Sequence, residues 1–362
     1  MFHAITGSAS LLVALLGLVT PPSAQRSGAA SGTPSPATAA GVRDRGLGIV
    51  VDHLNEKAFV FDTRRDRIVG VVDVPNTNFP CDVVLDSKRE FAYVTTVRST
   101  IAVLDLRGPT PVFASGTNPI PIRAIGFALA MTPDERYLIT CGPGGSSWPT
   151  SVVDVATRTE VYLANLGTHS CVEAAGDGRV FLDSQVGILA FTLDATGALV
   201  PRGTPLNRGG FDLAHAPGSD SVVLYGQNEL VSIGPGLTEI GSIATPFSFP
   251  SSSSLAFDAD GERLFIRRSL LGNMGTLESR SYQAGVFGDP PDWVVPLTPT
   301  GAGSTTYGVE TIAVDDVERK IFAPRPGFIE VRSMDTGALL TRIEHPDLEI
   351  PAVIDVVDAL GR

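Results

Sequence analysis

The sequence is poor in the features that mark several large classes of protein. It has three cysteines in 362 residues, no cluster of Lys or Arg, and no Asn-X-Ser/Thr glycosylation signal. A Cys-X-X-Cys-His motif for haem attachment is also missing. The formal net charge is −12. Because phosphate contacts require a basic face, we expect no nucleic-acid partner, and adsorption to anionic lipid is disfavoured for the same reason.

Sustained 3.6-residue periodicity is also missing after residue 40, which argues against helices as a main component. Glycine (38 residues) and proline (27 residues) are abundant instead, as in chains with many short turns. Hydrophobic residues make up 43% of the sequence, enough for a large core. These features together predict an all-β protein.

The N-terminus has the pattern of an export signal. Leu11–Val19 is an apolar run too short to span a bilayer, and cleavage is predicted after Ala24. Residues 1–24 are therefore assigned to a signal peptide, 25–44 to a disordered Ser/Gly/Ala/Pro-rich linker and 45–362 to the mature fold. The alternative is an uncleaved membrane anchor. No later segment is predicted to span a membrane, so we expect a secreted, periplasmic or cell-surface protein.

One structural unit recurs along the chain. It consists of an apolar strand, a polar turn, a second strand, a short gap and a third strand that ends in Asp, and its clearest copy is Cys81–Asp105. Aligned on the first strand, the units are anchored at Asp82, Ala128, Cys171, Asp212, Ser254, Thr311 and Ile354. The intervals are 41 to 46 residues except for one of 57, where we place an insertion within residues 270–306. A period near 42 is typical of a four-stranded propeller blade.

The two ends of the chain complement each other. The N-terminal region contains three candidate strands, Gly48–Asp52, Ala58–Asp62 and Ile68–Val74, but no first strand of the repeated unit. The C-terminus contains a first strand alone, Val353–Val357. The sequence therefore predicts a seven-bladed β-propeller in which the C-terminal strand completes the N-terminal blade, a closure that removes free sheet edges.

The blade that begins near Cys81 also resembles a known repeat. Phe91–Thr96 followed by Ser99–Asp105 is similar to the YVTN repeat, Tyr-Val-Thr-Asn, a gap, then Val-Ser-Val-Ile-Asp. Ala58–Thr63 and Ser151–Asp154 match the second half of that motif. The resemblance extends over most of residues 46–362 and implies an exported or cell-surface WD40-like propeller. The functions of such propellers are diverse, so the fold does not transfer a function.

Candidate ligand-binding residues are predicted at one end of the central channel, called the mouth here. The first strand of each blade begins at this end, and the loops between second and third strands lie on the same face. The residues expected there are Asp82, Asp212, Glu310, His169, His53, Arg98, Arg267 and Arg325. The mouth is thus polar and carries charges of both signs.

Two kinds of chemistry are compatible with this mouth. Asp82, Asp212 and Glu310 could supply oxygen ligands to a divalent metal such as Ca²⁺, or they could be hydrated channel walls. His169 and Cys171 share one face of a strand and could form a nucleophile–base pair, although chance produces the same spacing. No other cofactor is indicated.

The three cysteines suggest a disulfide because the chain is expected to be exported. Cys141 ends the second strand of one blade and Cys171 begins the first strand of the next, both toward the mouth. We therefore predict a Cys141–Cys171 disulfide, with Cys81 left as a small buried thiol.

The leading functional hypothesis is a secreted or surface-attached binding module that takes a small molecule or a protein at the mouth. One alternative is an enzyme at the mouth, either a metal-assisted lactonase or a lyase. Another is a subunit of a larger redox assembly.

Overall fold

A computed structural model describes residues 46–74, 79–142, 149–226, 228–245, 254–270, 274–299 and 311–357. For residues 168–170, 269, 270 and 274 it describes the backbone but not the side chain. The predicted signal peptide and linker lie outside these ranges. Within them the backbone forms strands and turns, and none of the residues described belongs to a helix that could cross a membrane.

Thirty strands are found in the part of the chain that the structure describes. The first sixteen are β1 (Leu47–Asp52), β2 (Lys57–Asp62), β3 (Arg67–Asp73), β4 (Pro80–Leu85), β5 (Phe91–Thr96), β6 (Thr100–Asp105), β7 (Val112–Phe113), β8 (Ile120–Pro121), β9 (Ala128–Met131), β10 (Tyr137–Cys141), β11 (Thr150–Asp154), β12 (Thr159–Ala164), β13 (Thr168–Ala174), β14 (Arg179–Ser184), β15 (Gly187–Leu193) and β16 (Leu199–Leu206). The remaining strands are β17 (Asp212–His215), β18 (Val222–Tyr225), β19 (Glu229–Ile233), β20 (Glu239–Ala244), β21 (Ser254–Phe257), β22 (Arg263–Leu270), β23 (Met274–Gln283), β24 (Val286–Phe287), β25 (Trp293–Pro296), β26 (Ala313–Asp315), β27 (Lys320–Arg325), β28 (Phe328–Ser333), β29 (Leu339–Glu344) and β30 (Pro351–Val357).

These strands form seven small antiparallel sheets, and each sheet is one blade. From the innermost strand outward, blade 1 is β30-β1-β2-β3, blade 2 is β4 to β8, blade 3 is β9 to β12, blade 4 is β13 to β16, blade 5 is β17 to β20, blade 6 is β21 to β25 and blade 7 is β26 to β29. The innermost strands β30, β4, β9, β13, β17, β21 and β26 contact one another in that order around a ring. The predicted seven-bladed propeller is therefore confirmed.

The closure of the ring has the predicted form. Strand β30 pairs antiparallel with β1, with Ile354 opposite Val50 and Val353 opposite Val51. Blade 1 is thus assembled from both ends of the described chain. This arrangement provides β1, which would otherwise be an exposed inner edge, with a partner along its whole length.

Asp52 reinforces this closure. Its Oδ1 accepts the backbone N–H groups of Leu54 and Asn55 at 2.9 and 3.0 Å, which shapes the turn after β1. Its Oδ2 accepts the N–H groups of Glu349 and Ile350 at 2.7 and 2.8 Å, just before β30 begins. One buried carboxylate therefore joins the first described strand to the last.

Blade 6 contains the predicted insertion. Strands β22 and β23 are the long strands of this blade, with eight and ten residues. Two additional short strands, β24 and β25, both pair with β23. The extra length of this unit therefore enlarges the outer part of one blade and leaves its innermost strand in the ring.

Seven hydrophobic clusters make up the core, and each lies between two neighbouring blades. In β10, Ile139 faces blade 4 whereas Leu138 faces blade 2. Both sets of alternating side chains are apolar because each sheet is covered on both faces. The strands of the sequence accordingly appear as continuous apolar runs.

Candidate functional site

Asp82 and Asp212 stand at the beginning of innermost strands, as predicted, but both carboxylates join neighbouring blades. Asp82 accepts the backbone N–H of Val83 at 2.8 Å and that of Leu129, in blade 3, at 2.7 Å. Asp212 accepts the N–H of Leu213 at 2.9 Å and that of Leu255, in blade 6, at 2.7 Å. Each carboxylate oxygen therefore binds one backbone donor.

Other blades continue this pattern at the same or a nearby position. The hydroxyl of Ser254 accepts the N–H of Ile312 at 3.2 Å. The bonds at the three remaining polar junctions are Thr311 Oγ1 with Ile354 N (2.8 Å), Glu173 Oε1 with His215 N (3.1 Å) and Asp355 Oδ2 with Leu85 N (2.7 Å). Six of the seven junctions between innermost strands thus carry a side-chain bond to the backbone of the next blade.

The junction between blades 3 and 4 differs. The two positions that carry the bonding side chains elsewhere are Ala128 and Ala130 in β9. Among the described residues, the Cys141 thiol lies 3.7 Å from the Cys171 carbonyl oxygen across this junction, a long contact for a hydrogen bond. The inner ring is therefore held mainly by apolar packing at this point.

Burial raises the pKa of the four carboxyl groups in this ring. The pKa rises to about 8 for Asp82 and Glu173, to about 7 for Asp212 and to about 6 for Asp355. Repulsion among the carboxylates raises the values of Asp82 and Glu173 further, whereas the backbone N–H bonds oppose the rise. The side chains remain half-buried because they lie beside the channel.

The hypothesis of a metal at Asp82, Asp212 and Glu310 stays a prediction. Asp82 and Asp212 belong to blades 2 and 5, and Glu310 lies outside the described residues. Across the ranges described, no group of three or more His, Cys, Asp or Glu side chains is arranged to hold a metal ion.

Arg267 and Arg325 are brought together at the mouth ends of β22 and β27. Arg267 is completely buried and donates from Nη1 to the carbonyl oxygens of Pro324 at 3.0 Å and Thr311 at 3.5 Å. Arg325 donates from Nη2 to the Thr298 carbonyl oxygen at 2.9 Å. Burial lowers the pKa of both guanidinium groups, and repulsion by Arg325 lowers that of Arg267 further.

These two residues belong to a larger arginine cluster that the sequence did not reveal. We define this cluster as Arg267, Arg268, Arg280, Arg325 and Arg332, all buried and all on blades 6 and 7. Among the described residues one further arginine, Arg179, is buried. The carboxylates inside the cluster are Glu278, bound to Arg268 and Arg280, and Glu330, bound to Arg332. Basic charge is therefore concentrated in one sector of an acidic protein.

The other predicted mouth residues have different surroundings. His53 is buried in the turn after β1, and its ring contacts Phe79 in a tilted arrangement with centroids 4.5 Å apart. Arg98 is exposed in the turn between β5 and β6. The backbone of His169 lies in β13, but its side chain is outside the described part, so a His169–Cys171 pair stays a hypothesis.

The structure does not contain the predicted Cys141–Cys171 disulfide. All three cysteines are buried, and none of them forms a disulfide bond. Cys141 packs between blades 3 and 4, whereas Cys171 packs with the cluster between blades 4 and 5. The two residues are neighbours through the backbone, but the Cys171 side chain points to the far face of its sheet. Burial raises the pKa of Cys81 and Cys171 well above the usual value, which makes both poor nucleophiles.

A second feature missed by the sequence reasoning is a repeated clamp on the face opposite the mouth. A basic residue before or at the start of the second strand donates to a carbonyl oxygen in the outer turn of the next blade. The four pairs are Arg136–Ala195 (3.0 Å), Arg179–Pro235 (3.0 Å), Arg263–Met334 (2.7 Å) and Lys320–Thr63 (2.8 Å). In the sequence, these four repeats share a basic residue at the end of the polar turn between the first and second strands, and this shared residue could have indicated the clamp.

Two open cavities also lie on this opposite face. One of about 420 Å³ lies between blades 3 and 4, and one of about 310 Å³ lies between blades 2 and 3. Asp134 and Asp194 line the first cavity, but each accepts backbone N–H groups of its own turn. Their carboxylates therefore serve the turns that border the cavity.

Comparisons with known proteins give the fold and no family. No protein-family model and no curated protein sequence matches the chain. A protein of unknown function from Desulfotomaculum acetoxidans superposes with a TM-score of 0.68 at 14% identity, over 86% of this chain and 99% of the other. A "putative 6-phosphogluconolactonase" from Bacteroides uniformis gives 0.67 at 16% identity, over 87% and 100%. Hydrazine synthase from Kuenenia stuttgartiensis gives 0.54 at 13% identity, over 71% and 77%.

Proposed function

We propose that the protein is an exported or surface-attached YVTN-type propeller that binds a small anionic ligand at the mouth, beside blades 6 and 7. The observation that carries this proposal is the pair Arg267 and Arg325. In a chain of net charge −12, two guanidinium groups lie together at the mouth ends of adjacent second strands. Both are buried, and the pKa of both is lowered.

A lowered arginine pKa means that the surroundings disfavour the positive charge. An anion at the mouth would offset that penalty, and a guanidinium group suits carboxylate and phosphate oxygens because it presents several donors in one plane. The acidic ring supports a binding role because it stabilises the scaffold that carries the mouth loops. Asp82 and Asp212 act as links between blades, which supplies a rigid scaffold for the loops above them.

The test is a calorimetric titration with 6-phosphogluconate, an anion that carries both a phosphate and a carboxylate. We expect saturable, salt-sensitive binding to the native protein and binding about tenfold or more weaker to Arg325→Gln, because a charged hydrogen bond contributes about 1.5–3 kcal/mol. Arg342→Gln is the matched control, since Arg342 is an exposed arginine on the same blade. Equal affinity of both variants, or no binding by the native protein, would refute the proposal.

A second candidate function is lactone hydrolysis at the same mouth. It is favoured by the superposition on two Bacteroides proteins, each named a "putative 6-phosphogluconolactonase", which cover 87% and 90% of this chain. Under this hypothesis the Ca²⁺ ligands would be Asp82, Asp212 and Glu310. We would then expect hydrolysis of 6-phosphogluconolactone that chelation abolishes and Ca²⁺ restores, with stoichiometric metal lost in Asp212→Asn. A metal-free, inactive native protein would exclude it.

A role as subunit of a redox assembly is the third candidate, favoured by the similarity to hydrazine synthase. It predicts a stable partner that co-purifies with the native protein, and isolation as a lone chain under mild conditions would contradict it.

A further inference from the structure

We propose that a small anion is bound inside the interface between blades 5 and 6, held by Arg268 and Thr245. This site is distinct from the proposed ligand site, because Arg267 faces blade 7 whereas Arg268 faces blade 5. The proposal does not depend on the function suggested above.

The position of Arg268 follows from the alternation of side chains in β22. Leu264 and Ile266 pack in the same cluster as Tyr225 and Leu230 of blade 5. Arg268 lies two residues further along the same strand, so it points toward blade 5 at the mouth end. Its side chain is 3% exposed.

The guanidinium group of Arg268 is only partly satisfied. Its Nη2 lies 3.0 and 2.9 Å from the two carboxylate oxygens of Glu278. Within the described residues, neither its Nε nor its Nη1 has a hydrogen-bond partner. Glu278 is shared with Arg280, which also donates to the Gly288 carbonyl oxygen at 2.7 Å and lies 3.6 Å from the exposed Asp289. One buried carboxylate therefore serves two buried guanidinium groups.

A second buried donor without a partner comes from the facing blade. Ile243 of β20 packs in the cluster between blades 5 and 6, and Thr245 lies two residues beyond it. The N–H of Thr245 donates to the Asn228 carbonyl oxygen at 2.7 Å, so the antiparallel pairing continues through this residue. Its hydroxyl is buried and has no hydrogen-bond partner in the part of the chain that the structure describes. Arg268 and Thr245 thus place unsatisfied donors at the same end of the same interface.

An anion accounts for these groups better than water does. A water molecule could accept hydrogen bonds from them, but it would leave Arg268 sharing its one buried carboxylate, Glu278, with Arg280, whose other carboxylate, Asp289, is exposed to solvent. An anion accepts hydrogen bonds from guanidinium and hydroxyl donors and supplies Arg268 with negative charge that it need not share with Arg280. Close packing between the blades restricts it to a small one, a halide or a single carboxylate or phosphate group.

The test is thermal unfolding of the full chain in increasing chloride, phosphate or acetate, with ionic strength held constant by HEPES, whose anion is too large for an interface between blades. Binding to the native state raises the unfolding midpoint as the anion concentration exceeds its dissociation constant. We expect one of the three anions to give this saturable rise, and its identity distinguishes a halide from the two oxyanions. Thr245→Val should shift the half-effect concentration upward at least about threefold, and Arg268→Gln should abolish the response.

Thr238→Val is the matched control, because Thr238 is an exposed threonine on the same blade, and its response should equal that of the native protein. If Arg268→Gln does not fold, Thr245→Val decides the question, since this near-isosteric change removes only the hydroxyl. The proposal is overturned if the three anions act alike, if none acts, or if Thr245→Val responds as the native protein does.

Discussion

The acidic inner ring and the arginine cluster bury ionisable side chains in the same propeller in opposite ways. Asp82 and Asp212 have each oxygen bound to a backbone N–H, one in their own blade and one in the next. Arg268, by contrast, has one of three guanidinium nitrogens bound. Since a carboxylate needs only acceptor contacts, two strand N–H groups suffice for it, whereas a guanidinium group carries five donors. The comparison indicates that the acidic residues hold the blades together, whereas Arg268 has donors that the described residues do not bind.

Among the tests of the structural role of the inner ring, removal of β30 has the largest expected effect. Deletion of residues 351–362 takes away the innermost strand of blade 1 together with the bond from Asp355 to blade 2. We expect loss of the cooperative unfolding transition, measured by circular dichroism and calorimetry. Deletion of residues 358–362, beyond β30, is the control and should preserve the transition. A cooperative transition at the native midpoint in the longer deletion would contradict the split-blade closure.

Asp52→Ala tests the same closure through one side chain. The change leaves four backbone N–H groups without their acceptor, two of them just before β30. We expect the free energy of unfolding in urea to fall by about 3 kcal/mol, since each unsatisfied buried donor costs about 1–3 kcal/mol and water recovers part of the loss. Asp347→Ala, which removes an exposed partner of Lys57, should change it by less than about 1 kcal/mol.

The pH dependence of the free energy of unfolding tests whether ionisation of the ring carboxyl groups destabilises the native state. The pKa of Glu173 rises from about 4.3 in the unfolded chain to about 8 in the native protein. The native state therefore holds this proton more tightly, and the resulting stabilisation is complete below about pH 4 and lost as the pH rises through 8. Glu173→Gln keeps the acceptor for His215 N–H and removes the charge.

We expect Glu173→Gln to raise the free energy of unfolding by about 1–2 kcal/mol at pH 8.5, a value reduced from the full linkage because the side chain is half-exposed to the channel. At pH 4 the variant and the native protein should be equally stable in urea. An equal difference at both pH values would show that the charge of Glu173 is not responsible.

The smallest expected effect concerns the junction between blades 3 and 4. Ala128→Ser introduces a hydroxyl at the position occupied by Ser254 in blade 6, where it accepts a backbone N–H of the next blade. We expect a gain of about 0.5–1 kcal/mol in the free energy of unfolding, the usual contribution of one hydrogen bond. Ala156→Ser, in an exposed turn of the same blade, should have no effect. A loss of stability would show that Ala128 is needed for packing.

Most of the fold could be predicted from the sequence. The interval between units and the incomplete units at the two ends both indicated seven blades, and the β1–β30 pairing has Val353 opposite Val51. The insertion within residues 270–306 was also located correctly, since β24 and β25 lie there. These features are predictable because one unit repeats and because its strands have a constant apolar pattern.

The contacts between blades could not be predicted in the same way. The sequence places Asp82 at the start of an innermost strand, but it does not show that Leu129, 47 residues later, offers its N–H to that carboxylate. The disulfide hypothesis failed for a related reason. Cys141 and Cys171 are at the same height in adjacent blades, yet their side chains face different interfaces. Contacts between blades depend on how each sheet is rotated relative to its neighbours in the ring, and this rotation cannot be predicted from the sequence of one repeat.

The position of β30 at the C-terminal end of the propeller also determines when the ring can close during synthesis. Blades 2 to 7 are continuous in sequence, so each can form as soon as it has been translated, whereas blade 1 waits for Pro351–Val357. The first three strands therefore leave the ribosome long before their partner exists. If the chain is exported as we propose, this delay favours passage before folding, since the ring cannot close until its last strand has been made.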